Sequence, residues 1–269
     1  MLPFYNTKTL ICVRNELIGR TNLINVDMLK DSTINSKYDI YKDILPSFFP
    51  TKINYFGIGN NGFKTLDDMN SLIPRKPDFR NMDLYSPIPF RCVPIDDDLD
   101  EMTQAKYRMK VMKLYNDINY WCYYLKVIEY LSTDINLVYT NLETGDEDTL
   151  IINYNNLNPI PSDIVSPDSI DSTYECNAYV DTKLTIEGNE IIEAINILYN
   201  GDLSKCNISE IGLYSGEDKV VQDSLDNEYT EAIFTQLMTH HCFTGVDLSN
   251  PSTVYEKDLR IVESTGFVL

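Results

Sequence analysis

No glycine or proline occurs from Ile95 to Glu143, and the apolar positions of this stretch recur at intervals of three and four. Ala105, Met109 and Met112 fall on one stripe, then Ile118, Trp121, Cys122, Leu125 and Ile128 on another. The pattern predicts two helices, or one bent near Asn116–Asn119. Asp98 followed three residues later by Glu101 matches a capping box at the start of this run. The Met and aromatic positions read as core.

The chain on either side has a different rhythm. Pro46, Pro50, Pro74, Pro77, Pro87, Pro89 and Pro94 hold their preceding residues extended and forbid long helices. Only short elements fit there: a helix at Lys37–Leu45, a strand at Lys52–Phe56, and the aromatic-rich Asp83–Arg91 lying extended on its own domain or on a neighbour. Beyond Ile135, Leu137–Leu142 and Thr149–Tyr154 flank Thr144-Gly145-Asp146 as a β-hairpin. Pro159, Pro161 and Pro167 mark a loop. Lys183–Ile186, Ile191–Tyr199 and Ile208–Tyr214 read as strands separated by Gly188 and Asn200-Gly201, the second covered on both faces. A late helix at about Asn227–His241 carries Tyr229, Ile233 and Leu237, and Thr253–Leu269 ends the chain as an extended tail. The expected fold class is α+β, with a central helical segment packed on a mostly antiparallel β-sheet or β-sandwich. Its three stretches are a proline-rich arm (1–94), a helical segment (95–134) and a β-rich part (135–269).

Composition narrows the class of function. With 43% hydrophobic residues, 19 Tyr and 10 Phe in 269 residues, the chain has the material for a real core. Forty-one acids against 22 bases give a net charge of −19, which repels polyphosphates and anionic membranes. That charge fits plain solubility, and it also fits a wall past which DNA slides without sticking. Cys12, Cys92, Cys122, Cys176, Cys206 and Cys242 stand 30 or more residues apart. Such spacing fits neither CxxC motifs nor a disulfide scaffold, so they read as reduced, buried apolar residues. No uninterrupted apolar segment suits a signal or a membrane span. Synthesis in the cytoplasm is therefore expected, with the Asn207-Ile208-Ser209 sequon accidental.

Reactive motifs are few. Gly57-Ile58-Gly59-Asn60-Asn61-Gly62 spells G-x-G-x-x-G after a predicted strand, with Asp78 at the spacing of a ribose-binding acid. A dinucleotide site there would need a long helix, but Pro74 limits any helix to about Lys64–Ile73. A glycine-rich turn or a close backbone approach is the better reading. His240-His241-Cys242 invites a metal, but helical neighbours diverge by about 100°, so a helix-terminal histidine is the better reading there. Asp96, Asp97, Asp98, Asp100 and Glu101 lack the spacing of a calcium loop and suit a helix N-terminus. Lys106, Arg108, Lys110 and Lys113 form a basic patch, either a solvated face or a contact with an acidic subunit or phosphate. No catalytic, cofactor or metal residue is assigned.

Tyr55-Phe56-Gly57-Ile58-Gly59, Leu84-Tyr85-Ser86-Pro87-Ile88-Pro89-Phe90-Arg91, Tyr107-Arg108-Met109-Lys110, the Ile208–Gly216 segment ISEIGLYSG and the STGFVL ending together resemble virion structural proteins of tailed bacteriophages. The resemblance implies a non-enzymatic subunit of the neck, head–tail connector or collar, or alternatively of the baseplate or fibre attachment. It implies a homo-oligomeric ring in contact with portal, neck, tail or baseplate proteins, assembled in the host cytoplasm. The assembly contacts expected are Tyr55, Phe56, Tyr85, Pro87, Pro89, Phe90, Arg91, Arg108, Lys110, Tyr214 and Phe267. An alternative of another class is a nucleotide-binding enzyme using the Gly57–Gly62 loop.

Overall fold

A computed structural model describes residues 5–8, 52–66, 71–131, 136–141, 143–149 and 174–264. Fifteen strands are present among them: β1 (Tyr5–Lys8), β2 (Ile53–Gly59), β3 (Phe63–Leu66), β4 (Ser71–Pro74), β5 (Pro87–Ile88), β6 (Arg91–Pro94), β7 (Tyr107–Tyr115), β8 (Ile118–Val127), β9 (Glu129–Tyr130), β10 (Asn136–Asn141), β11 (Glu147–Thr149), β12 (Tyr174–Glu187), β13 (Asn207–Gln222), β14 (Glu228–Asp247) and β15 (Val254–Ser264). Two α-helices join them, α1 (Glu101–Gln104) and α2 (Gly188–Leu198), with a 3-10 turn at Leu203–Cys206. The expected helix at Lys37–Leu45, the loop at Pro159–Pro167, the second arm of the hairpin beyond Thr149, and Phe267 lie outside the described residues.

Two compact units result, Met1–Ile128 with Thr185–Glu256, and Glu129–Leu184 with Lys257–Leu269. The first is built on an eight-stranded sheet in the order β1-β14-β13-β2-β8-β6, with β5 on β2 and β7 on β8. Strands β3 and β4 form a separate hairpin. A five-stranded sheet in the order β11-β10-β12-β15, with β9 on β12, belongs chiefly to the second unit. There Arg260 lies over the Tyr179 ring and pairs with Asp181 and Glu147.

The expected α+β balance is overturned: the fold is mostly antiparallel sheet. The segment foreseen as the central helix holds one helical turn, α1, followed by the β7–β8 hairpin. Asp100, not Asp98, caps α1, accepting the Thr103 N–H at 3.0 Å. The foreseen bend is the hairpin loop itself. Asn116 and Asp117 take φ of 49° and 63° between the paired Tyr115 and Ile118, the signature of a two-residue type I′ turn. The foreseen late helix is β14. Its stripe failed as evidence because a spacing of four fits one face of a strand as well as one of a helix, and Glu231–Met238 are buried without alternation.

The opposite exchange occurs at α2, Gly188–Leu198, which covers most of the strand foreseen at Ile191–Tyr199 from its isoleucines. The buried Ile191, Ala194 and Ile195 lie three and four apart on α2, and tertiary packing overrides β-branching. The strands foreseen at Lys52–Phe56, Lys183–Ile186 and Ile208–Tyr214 are present as parts of β2, β12 and β13. The Gly145 hairpin is present as β10–β11, with Gly145 at φ 75°. Of the tail foreseen from Thr253, Val254–Ser264 is extended, as strand β15 within a sheet; the residues after it lie outside the described ones. Cys92 and Cys122, foreseen as reduced, are buried cross-strand partners of β6 and β8 joined as a disulfide. Cys206 and Cys242 are free and buried.

Candidate functional site

The two glycine motifs of the sequence are registered partners. Across β2 and β13, Gly57 faces Gly212, Gly59 faces Glu210, and Tyr55 faces Tyr214. Across β13 and β14, Gly212 faces His240 and Glu210 faces Cys242. The two-residue period of a strand then places Glu210, His240 and Cys242 on one face over a floor of glycines. Side chains fill that floor: a Cβ at Gly212 would come within 2.7 Å of Leu237 and 3.0 Å of Leu84, and one at Gly59 within 2.6 Å of the Ser86 carbonyl. These glycines accept neighbouring atoms, not a pyrophosphate. Nor does a helix follow them; the chain turns into the β3–β4 hairpin, so the nucleotide-binding reading loses its geometry.

The segment from Asn81 to Ser86 closes over this face. Glu210 accepts the backbone N–H groups of Tyr85 at 2.7 Å, Asn61 at 2.9 Å and Ser86 at 3.1 Å. His240 Nε2 lies 2.9 Å from Glu210 Oε2, and the Asn81 amide nitrogen lies 2.9 Å from His240 Nδ1. With Asn81 donating to Nδ1, the ring hydrogen sits on Nε2 and is donated to Glu210. The Tyr85 ring leans on the imidazole at 4.9 Å. Glu210 thus clamps two loops onto the sheet, and His240 holds the clamp from below.

The chemistry of the cluster follows from its burial. Glu210, His240 and Cys242 are all 0% exposed. Cys242 Sγ is 3.5 Å from His240 Nε2, but the hydrogen on that nitrogen is directed at Glu210, so the ring does not serve as base to the thiol. Burial, reinforced by the Glu210 charge and opposed by Arg75, pushes the thiol up to about 12. It therefore stays protonated and weakly nucleophilic at neutral pH. The three donor atoms lie within 4.8 Å of one another, and sulfur, nitrogen and oxygen form a donor set that zinc accepts. An ion there would have to break the His240–Glu210 hydrogen bond and ionise that thiol.

The foreseen contact residues are mostly internal. The Tyr55 hydroxyl donates to Asp218 at 2.7 Å, and buried Phe56 meets buried Phe90 edge-on at 5.2 Å. The Tyr214 hydroxyl donates to Asp83 at 3.0 Å. Pro87 pairs with Gly59 within β5, and Pro89 is buried beside it. Arg91 pairs with Glu193 at 3.0 Å. The basic patch is also resolved: Arg108 grips Asp218 through two bonds of 2.7 Å. Lys110 pairs with Asp98 and Asp223, each at 2.7 Å, between the rings of Trp121 and Tyr229. Tyr85, 38% exposed, is the most open of the described candidates. Of the acidic run, Asp98 serves Lys110, Asp100 caps α1, and Asp96 and Asp97 are exposed.

Glu210 and Glu231 carry the polar interior and were not singled out by sequence. The available signal was the alternation His240-x-Cys242, which a strand brings to one face and a helix does not. A family model matches residues 5–253. The chain belongs to the family of unknown function DUF7208. That match spans both glycine motifs, the Glu210–His240–Cys242 cluster and the β13–β14 hairpin, so the family and the site coincide along the chain. No curated protein and no solved structure matches it significantly.

Proposed function

We propose that this protein is a non-enzymatic structural subunit of a tailed-phage particle, placed in the head–tail connector or neck and held to copies of itself and to other virion proteins. The supporting observation is the apolar surface at the ends of its hairpins. Met112, Leu114 and Ile118 near the β7–β8 turn are 50%, 65% and 49% exposed, and Val220 and Leu225 at the end of β13–β14 are 63% and 50% exposed. Exposed apolar side chains at the hairpin ends of so acidic a chain fit contacts with other chains. The clamp supports the same reading, because its reactive side chains are committed to holding loops on a sheet. The resemblance of the ISEIGLYSG and YFGIG segments to virion proteins supplies the setting. A baseplate or fibre-attachment position is the neighbouring alternative.

Peptide mass spectrometry and cryo-electron microscopy of purified particles test this proposal. The expected result is a stoichiometric ring at the junction of head and tail. A ring at the distal end of the tail would select the baseplate alternative, and absence from purified particles would end the proposal.

A further inference from the structure

A hollow of about 380 Å³ opens beside the clamp, lined by Asn61, Lys64, Arg75, Lys76 and Tyr85. Lys64 belongs to β3, Arg75 and Lys76 follow β4, and Asn61 and Tyr85 stand on the two loops that Glu210 holds. Three cations therefore meet in one place on a chain with 22 basic residues and a net charge of −19.

Their pairing differs from that of the arginines and lysines that hold the fold together. Arg80, Arg91, Arg108, Lys110, Lys126 and Arg260 each pair with a carboxylate at 2.7–3.1 Å. Among the described residues Lys64, Arg75 and Lys76 pair with none. Arg75 Nε is buried without a hydrogen-bond partner, and its Nη2 makes a long 3.3 Å contact with the Asn61 amide oxygen. Cations gathered with no carboxylate in salt-bridge contact among the described residues repel one another unless an anion joins them. The walls are held in advance. Glu210 fixes the Asn61 and Tyr85 backbones, and the Arg75 N–H donates to the Gly62 carbonyl at 2.7 Å.

We propose that this hollow binds a doubly charged phosphate group, with the Arg75 guanidinium as the directional donor and Lys64 and Lys76 as flanking charges. A guanidinium fork matches phosphate oxygens in geometry, and three cations suit a dianion better than a single carboxylate. The volume leaves room for a small substituent on the phosphate, as in a monoester. This assignment stands independently of the structural role proposed above.

The test is calorimetric titration of the intact chain at low salt and mildly alkaline pH with inorganic phosphate, so that the phosphate is present as the dianion. Parallel arms use a phosphomonoester, acetate and a single-stranded oligonucleotide. Saturable binding of inorganic phosphate or the monoester is expected, weakened on the order of tenfold by Arg75→Gln or by Lys64→Gln with Lys76→Gln. Lys106→Gln, on an exposed residue away from the hollow, should leave it unchanged. Because Lys64 and Lys76 are exposed, the double variant should fold with unaltered circular dichroism. Absence of saturation by both phosphate ligands, equal affinity in the variants, acetate binding as well as phosphate, or binding of the oligonucleotide alone would each overturn the assignment.

Discussion

The carboxylate of Glu231, enclosed on β14, accepts the backbone N–H of Met109, which holds a left-handed φ of 57° within β7. The same carboxylate accepts the N–H of Lys110 at 2.8 Å and of Ala232 at 2.7 Å. A strand residue with positive φ turns its N–H out of the regular ladder, and Glu231 supplies the acceptor that the neighbouring strand does not. The requirement is local and fully buried, so the acid is isolated from water as well.

Burial raises Glu231 from 4.5 to about 7, against the lowering effect of its three backbone donors and Arg108. Because the folded value lies above the unfolded one, the contribution to stability is complete below about 4.5 and is lost as pH rises through 7. A shift of that size corresponds to about 3 kcal/mol. Asp218 and Asp223 act in a separate window: burial acts to raise each, but hydrogen bonds led by Arg108 and Lys110 respectively hold them low, so their contribution is lost only under acid conditions. Urea midpoints followed across the window from 4.5 to 7 should therefore fall for the native chain and stay flatter for Glu231→Gln. Parallel curves for the two proteins would contradict the account.

Lys110 is expected to be the most costly surface-type residue to replace. Its side chain is 1% exposed and that of its partner Asp223 is 2% exposed, so Lys110→Met strands a buried carboxylate, at a cost of about 3–5 kcal/mol. Adding Asp223→Asn should recover part of that loss. A double-mutant cycle on urea unfolding measures the coupling directly, and additive effects would show that the pair contributes nothing jointly.

Much of the outer plan was legible in the letters. The strands at Lys52–Phe56, Lys183–Ile186 and Ile208–Tyr214, and the Gly145 hairpin, follow from β-branched runs bounded by turn residues. The interior was not legible, for two physical reasons. Strands buried on both faces, such as β14 and the middle of β8, lack the alternation that distinguishes them from helices. The β7–β8 turn uses Asn116 and Asp117 without glycine, so a run free of glycine and proline concealed a hairpin. The clamp depended on the same error, since His240 and Cys242 share a face only once β14 is a strand, and Glu210 meets them only through the long-range register of β13.

Cysteine reactivity tests that interior. Burial raises Cys206 as well as Cys242, the latter to about 12 from 9.0. Both thiols are 0% exposed as residues. Pulsed alkylation of the native protein at mildly alkaline pH should leave the Cys206 and Cys242 peptides unmodified, with Cys242 reacting on the order of a thousandfold more slowly than after unfolding. Rapid native labelling of Cys242 would mean that the loop held by Glu210 opens readily.

A single substitution separates the hairpin from the helix that the pattern implied. Asp117 holds φ at 63° beside Asn116 at 49°, and Asn-Gly is the pair that type I′ turns favour. Asp117→Gly removes the Cβ strain of a left-handed residue and should stabilise the protein by about 0.5–1 kcal/mol. In a helix interior the same change would destabilise it by a similar amount, because glycine loses more backbone freedom there than other residues. The urea midpoint of Asp117→Gly should therefore rise, and Asn116→Val, which forces a β-branched residue into positive φ, should lower it. A fall with Asp117→Gly would return the segment to the helical reading and remove the hairpin end at which Met112, Leu114 and Ile118 are exposed.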